Sequence, residues 1–333
     1  MAFEELVAEE EPLALITVVD TIGSSPTRAG AWMAVRPDGS VIGSIAGGCV
    51  EASVHSSALE VLDGAEPRLE EYGPDGDLIR PGLTCGGQMT VCIAPLDRAV
   101  VMEVCEQTAA GMRTGIEILL EGPLRGSMRI IDPEEDTPAG RYVAQHRTGL
   151  VGDAFVQAYE PPARMVLVGS TSYAQELCAV GSRLGYRVTV CDARAVFTTP
   201  ERFSDGADEI VCDWPSRWIA AERNAGGFDE RTVIVVLTHD PKIDIPVLAE
   251  VLDQTLWSVP PAYVGALGAA RSDRRLRAEL SDRGITEAEM ERLHSPVGIA
   301  IGDETPAQTA ISIAAQIISV GATRRAKIDV ACA

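Results

Sequence analysis

Two cysteines in this chain sit against paired glycines. The stretch GSIAGGCVEA at 43–52 places Cys49 behind Gly47 and Gly48, and GLTCGGQM at 82–89 places Cys85 ahead of Gly86 and Gly87. A thiolate is a nucleophile and a metal ligand, and glycines strip side chains from one approach to it. The first part of the chain is therefore expected to bind a ligand through a thiol. The structural alternative is a small residue packed beneath a helix start. In VEASVHSSALEVLDG, the residues Val50, Val54, Ala58 and Val61 fall on one face, which predicts a helix beginning beside Cys49. A helix N-terminus lowers a thiol pKa. Glu51 opposes that by charge, unless its carboxylate caps the backbone instead. The GSSPTRAG loop at 23–30 adds hydroxyls, backbone donors and Arg28, a composition suited to an anionic ligand or, failing that, to a solvated turn.

The remaining cysteines are 92, 105, 178, 191, 212 and 332, with no CxxC pair and only four histidines, so no closed zinc site is expected. Cys178, Cys191 and Cys212 fall in apolar strand or helix patterns and are expected to be buried.

The second half carries a different kind of site. Gly169-Ser170-Thr171-Ser172-Tyr173-Ala174 follows an apolar strand and opens a helix. Against G-x-G-x-x-G/A, the first glycine and the last small residue are in place, but Thr171 replaces the glycine that lets a backbone approach a pyrophosphate. Asp192 closes the next strand at the distance of a ribose-binding acid, a position that is also acidic for structural reasons. His239, in Thr238-His239-Asp240, follows the third strand as a general base, an anion donor or a plain strand end. Gly265 and Gly268 precede a basic helix start, either as an anion cradle or for tight packing.

The elements that must carry these residues divide in two. Strands are expected at 13–19, 31–36, 41–45 and 88–95, with a hairpin turn at PDGS and weaker alternation at 115–120 and 127–131. That is a strand-rich α+β domain over residues 1–158. YEPPAR at 159–164 resists both helix and ladder. Beyond it, strands at 165–169, 186–192, 231–239 and 262–268 alternate with helices, and a helix at 305–319 is capped by Thr305 and Pro306. This predicts a Rossmann-like, doubly wound parallel sheet over 159–322, followed by a tail at 323–333.

The chain has 333 residues and a formal net charge of −21, with no basic footprint for nucleic acid. Its N-terminus is acidic and its apolar runs are strand-sized, so neither a secretory signal nor a membrane span is expected, and the protein reads as cytoplasmic.

GSSPTRAGAWMAVRPDGSVIGSIAGGCVEASV together with GLTCGGQMTVCIAPL resembles the N-terminal domain of the XdhC/CoxI family of xanthine dehydrogenase accessory factors. YVGALGAARSDRRLRAEL and RLHSPVGIAIGDETPAQTAISIAAQII resemble that family's Rossmann domain, in the same order. The resemblance implies a maturation chaperone that binds the molybdenum cofactor, assists its sulfuration and inserts it into a molybdenum hydroxylase apo-enzyme of xanthine dehydrogenase or carbon monoxide dehydrogenase type. It also implies Cys49 and Cys85 as molybdenum contacts or persulfide carriers, a cysteine desulfurase as a further partner, and a homodimer, which the apolar terminal helix favours too. One departure counts against nucleotide binding: the family commonly has GAGH where this chain has GSTS. The alternatives are an NAD(P)-dependent oxidoreductase, resting on the βαβ pattern and Asp192, and a redox protein pairing Cys49 with Cys85.

Overall fold

The computed structural model describes residues 4–25, 27–48, 50–73, 83, 86–302 and 304–331. The chain divides into two compact units, Met1–Pro161 and Pro162–Ala333.

The first unit opens with a short helix α1 (Glu4–Ala8), then β1 (Ala14–Ile22), β2 (Trp32–Val35), β3 (Val41–Gly43), α2 (Glu51–Leu62), β4 (Arg68–Tyr72) and β5 (Gln88–Pro95). These strands form an antiparallel sheet in the order β3-β2-β1-β5-β4. The central strand is apolar at nearly every position because both its faces are covered. Ala14, Ile16 and Val18 join the cluster under α2, with Val54, Ala58 and Val61. Leu13, Leu15 and Val19 join a second cluster on the other face. That second cluster is closed by α3 (Arg98–Ala109) and a further antiparallel sheet of β6 (Thr114–Leu119), β7 (Met128–Ile131), β8 (Gly149–Val151) and β9 (Ala154–Tyr159). A helix α4 (Pro138–Ala144) covers the outer face of that sheet through Ala139 and Val143, packed with Ile131 and Val156. Asp97 caps α3 by accepting from Ala99 and Val100 N–H, and Thr137 caps α4 by accepting from Gly140 N–H at 2.9 Å.

The second unit contains β10 (Arg164–Val168), α5 (Ser172–Arg183), β11 (Arg187–Cys191), β12 (Glu209–Val211), α6 (Pro215–Asn224), β13 (Val233–Val236) and α7 (Pro241–Leu252). It continues with β14 (Tyr263–Ala266), α8 (Ala270–Asp282), α9 (Glu287–Met290), β15 (Leu293–His294) and α10 (Pro306–Ala331). Every neighbouring pair in the sheet is parallel, and the order is β12-β11-β10-β13-β14-β15. This is the doubly wound Rossmann order, with a switch point between β10 and β13. Alternate residues of β10 serve opposite layers: Val166 and Val168 face α6, α7 and α8, whereas Met165 and Leu167 face α5 and α10. Helix α10 runs on through 323–331, the stretch whose sequence predicts a tail. No helix among the described residues is long and apolar enough to cross a membrane.

One expected burial is corrected. Cys178 and Cys191 are buried, but Cys212 is exposed. It follows β12, a short edge strand whose residues are only half-buried, so an apolar pattern there does not amount to a covered site.

Candidate functional site

The two glycine–cysteine motifs begin from one end of the first sheet. Strands β1 and β5 pair so that Ile22 lies opposite Gln88 and Thr21 opposite Met89. The GSSPTRAG loop therefore leaves the sheet where the CGG motif enters it. Gly87 shows how close the two are: a Cβ there would lie 2.4 Å from the Ser24 carbonyl oxygen and 3.0 Å from that of Ile22. Only glycine fits. Gly86 has φ +77°, and its N–H reaches the Leu83 carbonyl at 3.0 Å, turning the chain into β5. Leu83 and Met89 share a core cluster with Ile45, Ala46 and Val50. Cys49 and Cys85 themselves lie outside the described residues, but the segments on either side of them are rooted in this one cluster.

The loop before Cys49 is held by a carboxylate. Glu51, the first residue of α2, accepts the Gly48 N–H at 2.7 Å, the Ala46 N–H at 2.9 Å and the Ser44 hydroxyl at 3.1 Å. Burial alone would raise the Glu51 carboxyl, but these donors outweigh it and hold the group below the usual carboxylate range. Its charge is therefore spent on backbone amides, the capping alternative allowed by the sequence. Gly47 and Gly48 have φ +69° and +118° with open space where a Cβ would stand, so backbone conformation, not crowding, demands glycine.

Arg28 is exposed on the neighbouring loop. Ser25 Oγ, in the same loop, is covered from solvent and has no hydrogen-bond partner among the described residues. A covered hydroxyl without a partner costs stability unless a ligand completes it. Behind α2, sequence reasoning missed a buried polar network. Glu70 accepts the Ser57 hydroxyl at 2.7 Å and the Tyr72 hydroxyl at 2.5 Å, and Ser53 Oγ lies 3.1 Å from that Tyr72 oxygen. It ties the helix after Cys49 to β4. Ser53 and Ser57, each beside a buried apolar residue of α2, were its only sequence signal.

The second unit gathers its predicted residues at the carboxyl edge of the parallel sheet. Gly169 has φ +107°, and a Cβ there would stand 2.3 Å from Thr238 Cγ2, so its glycine serves a close approach of β10 and β13. Thr171 is the N-cap of α5, its hydroxyl accepting the Ala174 N–H at 3.3 Å. Asp192 is fully buried and committed. It accepts the Ser170 N–H at 2.7 Å, the Arg194 N–H at 2.9 Å and the Arg194 guanidinium at 2.6 and 3.0 Å. Burial would raise its pKa, but Arg194 and the backbone donors together hold it below the usual range.

His239 is exposed beyond β13. Beside it stands Asp244, which sequence reasoning did not single out. Burial pushes its carboxyl up to about 6, against the lowering effect of the Thr238 hydroxyl it accepts and of nearby His239. An acid in the first turn of a helix looks like an ordinary dipole partner, which concealed it. Gly265 lies within β14, where a Cβ would stand 2.6 Å from Val297 Cγ2 and 2.8 Å from the Tyr263 ring. It serves packing, not an anion cradle. A cavity of about 400 Å³ bordered by Tyr263, Arg292, His294 and Thr323 lies at the opposite, amino edge of the sheet, away from these groups.

The arrangement defines a two-unit protein: an antiparallel α+β unit that presents glycine-flanked cysteine segments, and a Rossmann unit whose fingerprint is incomplete. Residues 165–317 match the family described as the XdhC Rossmann domain, and residues 6–73 match the XdhC and CoxI family. The chain belongs to the XdhC/CoxI family.

Among its relatives is the molybdenum cofactor insertion chaperone PaoD of Escherichia coli (strain K12), 25% identical over 92% of this chain and 82% of that protein. A Bacillus subtilis (strain 168) protein described as a probable xanthine dehydrogenase subunit is 26% identical over 95% of each chain. The chain spans 46% of the uncharacterized protein YqeB of Escherichia coli (strain K12), at 27% identity. A crystal structure described as a xanthine dehydrogenase from Bacillus halodurans superposes with a TM-score of 0.79 at 25% identity, over 97% of this chain and 95% of that one.

Proposed function

We propose that this protein is a cytoplasmic, homodimeric maturation chaperone. It binds the molybdenum cofactor as cargo, assists its sulfuration, and inserts it into a molybdenum hydroxylase of xanthine dehydrogenase or carbon monoxide dehydrogenase type. The observation that carries this reading is the packing of Gly87 on Ser24, which brings the hydroxyl loop to the edge from which the CGG motif starts. Cys49 and Cys85, with Gly47, Gly48 and Gly86 leaving an open approach and Gly87 fixing the CGG segment against Ser24, hold molybdenum through thiolate or carry sulfur delivered by a cysteine desulfurase. Ser24, Ser25 and Arg28 supply donors for the pterin phosphate. The name of the PaoD relative supports the same cargo.

The Rossmann unit then contributes Gly169, Thr171 and His239 to cofactor contact at its carboxyl edge, or serves client docking. Use of NAD(P) in the ordinary manner has Asp192 against it, because the acid that would meet a ribose is already engaged by Arg194 and Ser170 N–H.

The test is to purify the protein from cells competent in molybdopterin synthesis and to measure bound molybdenum and pterin. Near-stoichiometric pterin that falls in Cys49→Ala and Cys85→Ala is expected. Absence of pterin, or retention unchanged in both variants, overturns the reading.

A further inference from the structure

The cavity of about 400 Å³ at the amino edge of the parallel sheet is of a size that takes a small molecule. One of its walls is a pair of rings. Tyr263 opens β14 and His294 ends the edge strand β15, and the two rings stack with centroids 4.6 Å apart and 5° between their planes. Gly265 pairs with His294 in the sheet, so Tyr263, two residues earlier, points to the same face. The absent side chain at Gly265 leaves the space that the Tyr263 ring occupies, since a Cβ there would stand 2.8 Å from it.

The ring pair is fixed from behind. The Tyr263 hydroxyl donates to Gln316 Oε1 at 2.6 Å, and the same oxygen accepts the Gly298 N–H at 2.8 Å. Gln316 belongs to α10, and Ser319, Val320 and Thr323 follow it at helical spacing to border the cavity. A stacked ring already held in place loses little freedom when a third ring joins the stack.

Charge sets the sign of the ligand. Arg292 is the one charged side chain among the described residues that border the cavity, in a chain of net charge −21. Its Nη2 donates to the Pro261 carbonyl at 3.4 Å, which directs the guanidinium along the proline rim of the cavity. Glu289, whose carboxylate feels Arg292, is engaged by the Gln254 and Thr286 N–H groups and does not border the cavity. Burial lowers the His294 pKa, so its ring is neutral at pH 7. Ala262, Val264 and Val320 make the remaining wall apolar. A single guanidinium over apolar walls and a stacked ring pair fits a flat ligand with one negative charge.

We propose that this cavity binds a planar aromatic carboxylate of one or two rings, with its carboxylate on Arg292 and its ring extending the Tyr263–His294 stack. The site lies at the opposite edge of the sheet from Gly169, Thr171 and His239 and does not rest on the cargo reading.

Calorimetric titration of the full chain with three probes separates charge from planarity. 2-Naphthoate is planar and charged, 2-naphthamide is planar and neutral, and decahydro-2-naphthoate is charged but not planar. The first is expected to bind with a Kd below about 1 mM. The amide should bind at least about tenfold more weakly, and the saturated acid at least about threefold more weakly. Arg292→Gln should bring 2-naphthoate down to the affinity of the amide. Ser319→Trp, at an exposed position on the wall, fills the cavity while leaving Arg292 and the ring pair in place, and should abolish binding of 2-naphthoate. Circular dichroism checks that each variant is folded. A Kd above about 1 mM, equal affinity for 2-naphthoate and either analogue, or undiminished binding in Ser319→Trp overturns the proposal.

Discussion

The Glu51 carboxylate accepts the Gly48 N–H at 2.7 Å, so the first residue of a helix holds the backbone immediately before Cys49. Two further donors, Ala46 N–H and the Ser44 hydroxyl, converge on the same side chain. The motif GGCVE thus contains its own clamp, and the positive φ angles of Gly47 and Gly48 are what allow the loop to fold back onto it.

Glu51→Gln should loosen this loop. Charge-assisted hydrogen bonds contribute about 1.5–3 kcal/mol each, and a partly exposed site reduces that, so a loss of about 1–2 kcal/mol is expected at neutral pH. The folded pKa is depressed, so the contribution is present above the unfolded value and disappears as pH falls through the folded one. Amide exchange at Ala46 and Gly48 should be faster in the variant at pH 7 and should converge with wild type under acid conditions. Equal exchange at pH 7 would show that the clamp is dispensable.

Gly87→Ala introduces a methyl group 2.4 Å from a backbone oxygen, and neither partner is a side chain that can swing away. Either β5 or the 23–25 loop must move. A destabilisation of about 2–3 kcal/mol is expected, with loss of pterin retention. Gly48→Ala meets open space and suffers only its left-handed φ, about 1–2 kcal/mol. Urea unfolding of the two variants, read by far-ultraviolet circular dichroism, gives the order. The reverse order would contradict the packing described.

Arg194→Ala leaves Asp192 buried with only backbone donors. Breaking one side of a buried pair costs about 3–5 kcal/mol, and the half-exposed arginine lowers the expectation to about 2–3. The depressed Asp192 pKa again places the effect above the unfolded value and removes it at low pH. Trp218 and Trp257, both in the second unit, report the transition. A shift below about 0.5 kcal/mol at pH 7 would mean that Asp192 is not held by Arg194.

Asp244 has the opposite sign. Its folded pKa is raised to about 6, so its favourable contribution is complete below the unfolded pKa and is lost as pH rises through 6. Asp244→Asn keeps an oxygen for the Thr238 hydroxyl and removes the cost of ionisation. The variant should be more stable than wild type by about 1–2 kcal/mol at pH 7.5 and equal to it near pH 4. Greater stability of wild type at pH 7.5 would assign the carboxylate a partner that offsets its burial.

Local pattern carried much of this molecule. Apolar residues at period 3.6 placed α2, α5 and α10, and continuous apolar runs placed β1, β10 and β13, because burial of one stripe or of both faces leaves its mark on neighbouring residues. The Rossmann unit, the glycine–cysteine motifs and the missing fingerprint glycine at Thr171 were legible for the same reason. Cys212 misled, since hydropathy records a residue's type but not whether its strand is at an edge.

What only the tertiary structure decided were relations between residues distant in the chain. Gly87 is required by Ser24, Gly169 by Thr238, and Gly265 by Val297. Asp192 reads as a ribose acid until Ser170 N–H and Arg194 are seen to occupy it, and Asp244 reads as a surface carboxylate until its burial is known. Each depends on which segments meet and how much water remains between them. Those are properties of the packed chain that no spacing within one segment can encode.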